Sequence, residues 1–113
     1  MALARIDGGR GTLQIASVGN IEVRLHFSPQ PLKYLPRRGI VGLNAPSAPV
    51  TQQPWSSGMT LCLFSDGIRS HWDRNELSAH DAMPASALAG MLLRRYARDE
   101  DDATVMIVKG LRV

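Results

Sequence analysis

The sequence predicts an α+β fold with a largely antiparallel sheet. Strand-length apolar or alternating segments occur near residues 13–18, 21–27, 60–65 and 103–108, whereas only residues 85–98 place apolar side chains at helical spacing. The order of strands, loop, strand, helix and strand does not alternate in the way that a parallel sheet requires. The length of 113 residues suits one domain, so we predict a single domain over residues 1–113.

The first two segments are predicted to form an antiparallel hairpin. Gly19-Asn20 is a two-residue turn signal between them. In the second strand, one face carries Ile21, Val23, Leu25 and Phe27, and the other carries Glu22, Arg24 and His26. The first strand, residues 13–18, has apolar residues on both faces, which favours a more central place in the sheet.

A long loop is predicted between these strands and the next one. Residues 28–57 contain six prolines together with many Gly, Ser and Asn residues, which exclude a long helix or a central strand. A short strand is predicted at Leu32–Leu35, and the segment from Asn44 to Pro54 is expected to be the loosest, most mobile part of this loop.

A buried strand and one helix follow the loop. The strand Thr60–Ser65 is continuously apolar at its centre and stops at the turn pair Asp66-Gly67. A helix is predicted from Ala85 to Arg98. Pro84 suits its N-terminus, and the positive charges of Arg94, Arg95 and Arg98 suit its last turn. A last strand is predicted from Ala103 to Val108.

Composition excludes several classes of protein. The net charge is +3 and the arginines are scattered without interleaved aromatics, which argues against nucleic-acid binding. A single cysteine, Cys62, excludes an internal disulfide and lies in an apolar run, which indicates a buried, inert thiol. No apolar run is long enough to span a bilayer and no signal peptide is evident, so we expect a cytoplasmic protein without membrane contact.

Carboxylates stand at two strand boundaries. Asp66 follows the buried strand, and Asp101-Asp102 precedes the last one. Antiparallel neighbours would bring these boundaries to the same edge of a sheet, where carboxylates suit hard cations such as Mg²⁺ or Mn²⁺. Each boundary alone is equally typical of an ordinary turn or a solvated loop.

Taken together, these segments resemble a known family. Residues 61–68 (LCLFSDGI) are similar to an apolar strand followed by S/T-D-G, and residues 101–108 (DDATVMIV) to a D-D/N-x-T-V strand. Residues 16–24 (ASVGNIEVR) and 38–42 (RGIVG) resemble segments that precede these motifs in the same order. The chain thus resembles, over nearly its whole length, the C-terminal half of a PPM-type serine/threonine phosphatase of the SpoIIE/RsbX-like branch.

The resemblance implies a fold, a chemistry and a substrate class. It implies a partial α-β-β-α sandwich, with a mainly antiparallel sheet and one long helix, around a binuclear Mn²⁺ or Mg²⁺ centre. Asp66 and Asp101 would be metal ligands, Asp102 would hold the second position of its motif, and Gly67 would keep backbone bulk away from the metal edge. The activity implied is hydrolysis of phosphoserine or phosphothreonine on a STAS-type bacterial signalling protein.

The chain also departs from the family pattern. The family has an earlier Asp-Gly segment well before the hairpin, whereas Asp7-Gly8 lies a few residues before the first predicted strand and is interpreted as a turn. We therefore expect weak or absent hydrolysis in this chain. The alternative is a catalytically dead, phosphatase-like regulatory module that binds a phosphorylated partner protein. A homodimer or a complementary half would then cover the exposed sheet.

Overall fold

Two small sheets and one helix make up the described part of the chain. The computed structural model describes residues 2–17, 19, 21–30, 32, 50–69, 83–98 and 102–110. The elements in chain order are β1 (Ala2–Asp7), β2 (Thr12–Ser17), β3 (Ile21–His26), β4 (Thr51–Pro54), β5 (Thr60–Ser65), α1 (Ala85–Tyr96) and β6 (Val105–Lys109).

Each sheet has three antiparallel strands, in the orders β1-β2-β4 and β3-β5-β6. β1 and β2 form a hairpin in which the backbone N–H of Arg10 donates a 3.0 Å hydrogen bond to the carboxylate of Asp7. The central place of β2 agrees with the apolar residues on both of its faces. The interpretation of Asp7-Gly8 as part of a turn is confirmed, since residues 8–11 connect the two strands.

The two sheets share one apolar core. Side chains of β2 are buried with period two, so Leu13 and Ile15 face the same side as buried residues of the second sheet. They form a cluster with Val23 of β3 and with Leu61 and Leu63 of β5. Stacked sheets bury alternate residues in this way.

A second core lies between β5 and the helix. Cys62 and Phe64 point away from the first sheet and pack with Leu88 and Leu92 of α1, and Tyr96 closes the same cluster. β5 is therefore buried on both faces, which explains its continuously apolar sequence.

The predicted α-β-β-α phosphatase sandwich with one long helix is wrong for the described residues. They form mostly antiparallel sheet with a single helix of 12 residues. The helix ends at Tyr96 because Ala97 is extended, with φ −65° and ψ 136°, and forms an isolated β-bridge with Ile68. Arg98 led to the longer predicted helix, because a basic residue suits a C-terminal turn whether or not that turn forms.

The predicted hairpin across Gly19-Asn20 is also wrong. β2 and β3 belong to different sheets, and the chain crosses between the layers at Gly19, whose φ is 97°. Alternation and a turn signal look the same in a hairpin and in a crossing between stacked sheets. Sequence alone therefore did not separate the two connections.

Phe27 does not continue the apolar face of β3. The strand ends at His26, and Phe27 has a φ of 61°, in the left-handed region. This reversal turns its ring away from Val23 and places it against the cluster under the helix.

The loose segment predicted at the end of the long loop contains a strand. β4 comprises Thr51–Pro54 and pairs with β2 at one end of the first sheet, where a proline is tolerated. The short strand predicted at Leu32–Leu35 and the RG-I-x-G segment at residues 38–42 fall outside the described residues, apart from Leu32. No helix in the described part of the chain is long and apolar enough to cross a membrane.

Candidate functional site

The turn after β5 holds the first predicted site residue. Residues Ser65 to Ile68 form a closed turn in which the N–H of Ile68 donates to the carbonyl oxygen of Ser65 at 3.1 Å. Asp66 is exposed at the tip, while Gly67 and Ile68 are buried. The carboxylate of Asp66 is therefore presented from a rigid strand end.

Ser65 connects this turn to the segment that precedes β6. Its backbone N–H donates to the carbonyl oxygen of Thr104 at 3.0 Å. In return, the N–H of Thr104 donates to the Ser65 hydroxyl oxygen, also at 3.0 Å. This reciprocal pair continues the β5–β6 ladder by one residue beyond its last strand pair, Phe64 and Val105.

Gly67 is packed directly against the backbone of Asp102 and Ala103. A Cβ atom at Gly67 would overlap the carbonyl oxygen of Asp102 and lie 2.9 Å from its carbonyl carbon and 3.1 Å from the Ala103 Cα. Only glycine can occupy position 67 at this distance from the Asp102 backbone, since Cβ atoms do not come so close to backbone atoms. The role of Gly67 seen here is close packing between the two strand boundaries.

The C-terminus of α1 fixes the other side of the turn. The N–H of Arg98 donates to the carbonyl oxygen of Gly67, and the N–H of Arg69 donates to that of Tyr96, each at 2.7 Å. These bonds satisfy backbone groups where the helix ends. The turn is thus held by the segment before β6 on one side and by the end of the helix on the other.

The structure therefore brings two of the three predicted carboxylate positions to one edge. Asp66 and Asp102 are both exposed, and the Gly67 contact joins their backbones; Asp101 lies outside the described residues. Within the described residues, no group of three or more His, Cys, Asp or Glu side chains is placed to hold a metal ion. The assignment of Asp66, Asp101 and Asp102 as ligands of Mn²⁺ or Mg²⁺ stays a prediction.

Cys62 confirms the expectation of a buried thiol. Its side chain is fully buried under the helix, and this burial raises the pKa of the thiol to about 12, although the charges of Arg24 and Lys109 act in the opposite direction. The guanidinium of Arg24 lies over the Phe64 ring at 5.1 Å, and Lys109 donates to the carbonyl oxygen of Met83 at 2.6 Å. A thiol in this environment is a poor nucleophile.

An apolar groove that the sequence did not predict opens between the two sheets. It has a volume of about 570 Å³ and runs between β1 and β6. Its walls include Ala2, Leu3, Ala4 and Ile6 on one side and Met106 and Val108 on the other. Met106 is 58% exposed, so a large apolar side chain on the β6 wall of this groove is open to solvent.

The groove is flanked by two strand edges. β1 is an end strand of the first sheet and β6 is an end strand of the second. Among the described strands, β1 pairs only with β2 and β6 only with β5. Within the described residues, each edge therefore offers backbone N–H and C=O groups next to an apolar cleft, which is the arrangement that a further polypeptide can cover.

Comparison with known proteins gives one informative likeness. The chain is similar to a solved structure from the bacterial stressosome, described as a modular system that has been adapted to control secondary messenger signalling, with 30% sequence identity and a TM-score of 0.84. The likeness covers 94% of this chain but only 56% of the other, so this chain spans little more than half of that relative. No protein-family model matches the chain. No curated protein matches it either.

This likeness corrects the family assignment made from the sequence motifs. The relative is described as a stressosome protein and not as a PPM-type phosphatase, and no phosphatase family model matches. The assignment to the SpoIIE/RsbX-like phosphatases, and with it the prediction of a metal-dependent hydrolase, is therefore wrong by this comparison. These motifs do not identify a phosphatase by themselves. A strand followed by an Asp-Gly turn, and a strand preceded by acidic residues, also occur where two strand ends pack together without a catalytic role.

Proposed function

We propose that this chain is a regulatory protein-binding module of a stressosome-type signalling system, acting in the cytoplasm through the groove between β1 and β6. The observation that carries the proposal is the exposed apolar side chain of Met106 on one wall of that groove, opposite Ala4 and Ile6 of β1. The alternative of a regulatory module without turnover, weighed from the sequence, thus becomes the main interpretation.

The energetics of the groove support a protein partner. Covering a large aliphatic side chain stabilises a complex by about 1.5–3 kcal/mol before the cost of association. The edges of β1 and β6 add backbone hydrogen bonds when a strand is laid beside them. A polar small molecule would gain little from walls of Ala4, Ile6 and Val108.

The comparison supports a signalling role for that partner. The stressosome relative belongs to a system described as modular and as controlling secondary messengers. A module of such a system works by contact with other proteins. We propose that the partner is a regulatory protein of that system, and that phosphorylation of this protein changes its affinity for the groove.

A matched pair of lysine substitutions tests the proposal. Met106→Lys places a charge in the groove, whereas Val50→Lys places one on a side chain that is similarly exposed, at 64%, but does not line it. Stressosome proteins encoded by the same genome, phosphorylated and unphosphorylated, are titrated against each variant by biolayer interferometry. We expect one of them to bind the parent chain and Val50→Lys, and to bind Met106→Lys at least about tenfold more weakly, since about 1.4 kcal/mol corresponds to tenfold. Equal binding by both variants, or none by the parent chain, overturns the proposal.

A further inference from the structure

A small polar cleft lies on the outer face of the first sheet, on the side away from the groove. Arg5 and Asp7 border this cleft, and they alternate along β1 with Ala4 and Ile6, which line the groove. The cleft and the groove are therefore on opposite faces of the strand. The cleft has a volume of about 90 Å³ and is lined by Arg5, Asp7, Arg10, Thr12, Gln14 and Gln52.

Strand pairing places three of these side chains in one row across the sheet. Arg5 of β1 lies opposite Gln14 of β2, and Gln14 lies opposite Gln52 of β4. Opposed side chains share a face of an antiparallel sheet, with Cβ atoms about 4.5–5.5 Å apart. One guanidinium and two amides are thus close enough to contact the same small ligand.

This row presents mainly hydrogen-bond donors. The Nε2 of Gln14 donates to the Oε1 of Gln52 at 3.1 Å. Because Gln52 uses its carbonyl oxygen in this bond, its N–H groups are the part of the amide that it offers to a ligand. Arg5 adds a guanidinium, which has donors and no acceptor. No ion pair within the described residues involves Arg5, so its positive charge is not compensated there.

The second arginine of the cleft is joined to the one carboxylate. Asp7 accepts the backbone N–H of Arg10 at 3.0 Å through Oδ1, and its Oδ2 lies 3.9 Å from the Nε of Arg10. The carboxylate is therefore engaged by its own turn. Two arginines and one aspartate leave the lining with a net positive charge, so the cleft favours an anion over a cation.

We propose that this cleft binds one phosphoryl group. A phosphoryl group carries three strong acceptor oxygens, and the donors of the cleft come from three strands and the β1–β2 turn. The volume is far below the about 300–1,000 Å³ of a cleft that encloses a whole small molecule, so only the phosphoryl group enters. A free phosphate and a phosphorylated side chain of another protein present the same oxygens.

Three substitutions that make the same change in net charge test the site. Inorganic phosphate, up to about 20 mM at constant ionic strength, is titrated into the isotope-labelled full chain and followed by NMR. We expect saturable shifts of the Gln14 and Gln52 side-chain amides, with a dissociation constant in the low millimolar range. Arg5→Gln removes a guanidinium and Gln52→Glu places a carboxylate among the donors, so each should raise this constant at least about fivefold. Arg94→Gln, at an exposed position of α1, should leave it within about twofold.

The amide spectrum of each variant also shows whether that variant is folded, so loss of folding is distinguished from loss of binding. Shifts of the parent chain that are no larger than those in sodium chloride at the same ionic strength overturn the proposal. Equal weakening in Arg94→Gln and Arg5→Gln overturns it too, because net charge and not the cleft would then attract the anion.

The interferometry titration distinguishes the two sources of the phosphoryl group. If it belongs to a phosphorylated side chain, Arg5→Gln weakens binding of the phosphorylated stressosome protein at least about fivefold and leaves binding of the unphosphorylated form unchanged. If it is a free phosphate, Arg5→Gln binds both forms as the parent chain does. Equal weakening of both forms would make Arg5 an ordinary contact residue and overturns the proposal. Met106→Lys tests the groove on the opposite face, so failure of the phosphoryl site and failure of the proposed function are separately observed.

Discussion

Gly67 lies so close to Asp102 that a Cβ atom on the glycine would overlap the carbonyl oxygen of the aspartate. This contact joins the end of β5 to the segment before β6, and the hydrogen bond from Arg98 to the Gly67 carbonyl adds the end of the helix. Three elements thus converge on one glycine, whose neighbours on the chain include the exposed Asp66.

The first prediction concerns this contact. Gly67→Ala should lower the free energy of unfolding by about 2–3 kcal/mol, because the overlapping atoms belong to the backbone of Asp102 and Ala103, next to the bonded pair of Thr104 and Ser65. Gly8→Ala is the control, since a Cβ at Gly8 meets nothing within 4 Å. Urea unfolding of both variants measures the difference. If Gly67→Ala lowers the free energy of unfolding no more than Gly8→Ala does, the end of β5 and the segment before β6 can move apart at no cost.

The second prediction concerns the link between Ser65 and Thr104. Ser65→Ala removes the hydroxyl that accepts the Thr104 N–H and should cost about 0.5–1.5 kcal/mol, with faster amide exchange at Thr104. Ser57→Ala, at an exposed turn position, should change stability by less than about 0.5 kcal/mol. Unchanged exchange at Thr104 in Ser65→Ala would mean that the hydroxyl contributes nothing to this connection.

The third prediction follows from the pKa of Cys62. Burial raises this pKa from 9.0 to about 12, so the unfolded chain loses its thiol proton at lower pH than the folded chain does. The stabilising contribution is complete below pH 9 and is lost as the pH rises from about 9 to about 12. At pH 8 a thiol reagent such as 5,5′-dithiobis(2-nitrobenzoic acid) should react only as fast as the chain opens. Rapid stoichiometric reaction without denaturant would contradict the buried, protonated thiol.

The fourth prediction tests the carboxylates named from the sequence. If Asp66, Asp101 and Asp102 bind a divalent cation, calorimetric titration with Mn²⁺ gives saturable heat that weakens at least about tenfold in Asp66→Asn, because one charged ligand is lost. Asp7→Asn, in the β1–β2 turn, is the control. Heats equal to dilution, or equal in all three proteins, would leave these residues with a structural role alone.

The sequence predicted the elements whose burial is uniform. The strand Thr60–Ser65 was predicted with its observed bounds because both of its faces are apolar, and the turn at Asp66-Gly67 follows from its residue types. The start of the helix at Ala85 was predicted from Pro84 and from the spacing of Leu88 and Leu92.

The sequence failed where tertiary contacts decide the structure. β4 has the sequence TQQP, which lacks a strand pattern, and pairing with β2 alone makes it a strand. The φ of Phe27 and the separation of β2 from β3 depend on which sheet each strand joins. The groove was missed for the same reason, because its walls come from strands that are distant in sequence. The arrangement of helices around the sheets was inferred from a family resemblance and not from the residues.

The most direct test of binding through the groove between β1 and β6 is hydrogen–deuterium exchange of the parent chain. The exchange is measured with and without the stressosome protein that binds the chain in the interferometry titration. We expect added protection confined to Ala2–Asp7 and Val105–Lys109, the strands whose edges flank the groove, with exchange in Ala85–Tyr96 unchanged. Protection of the helix alone, or no change at β1 and β6 under saturating partner, would contradict a binding module that works through this groove.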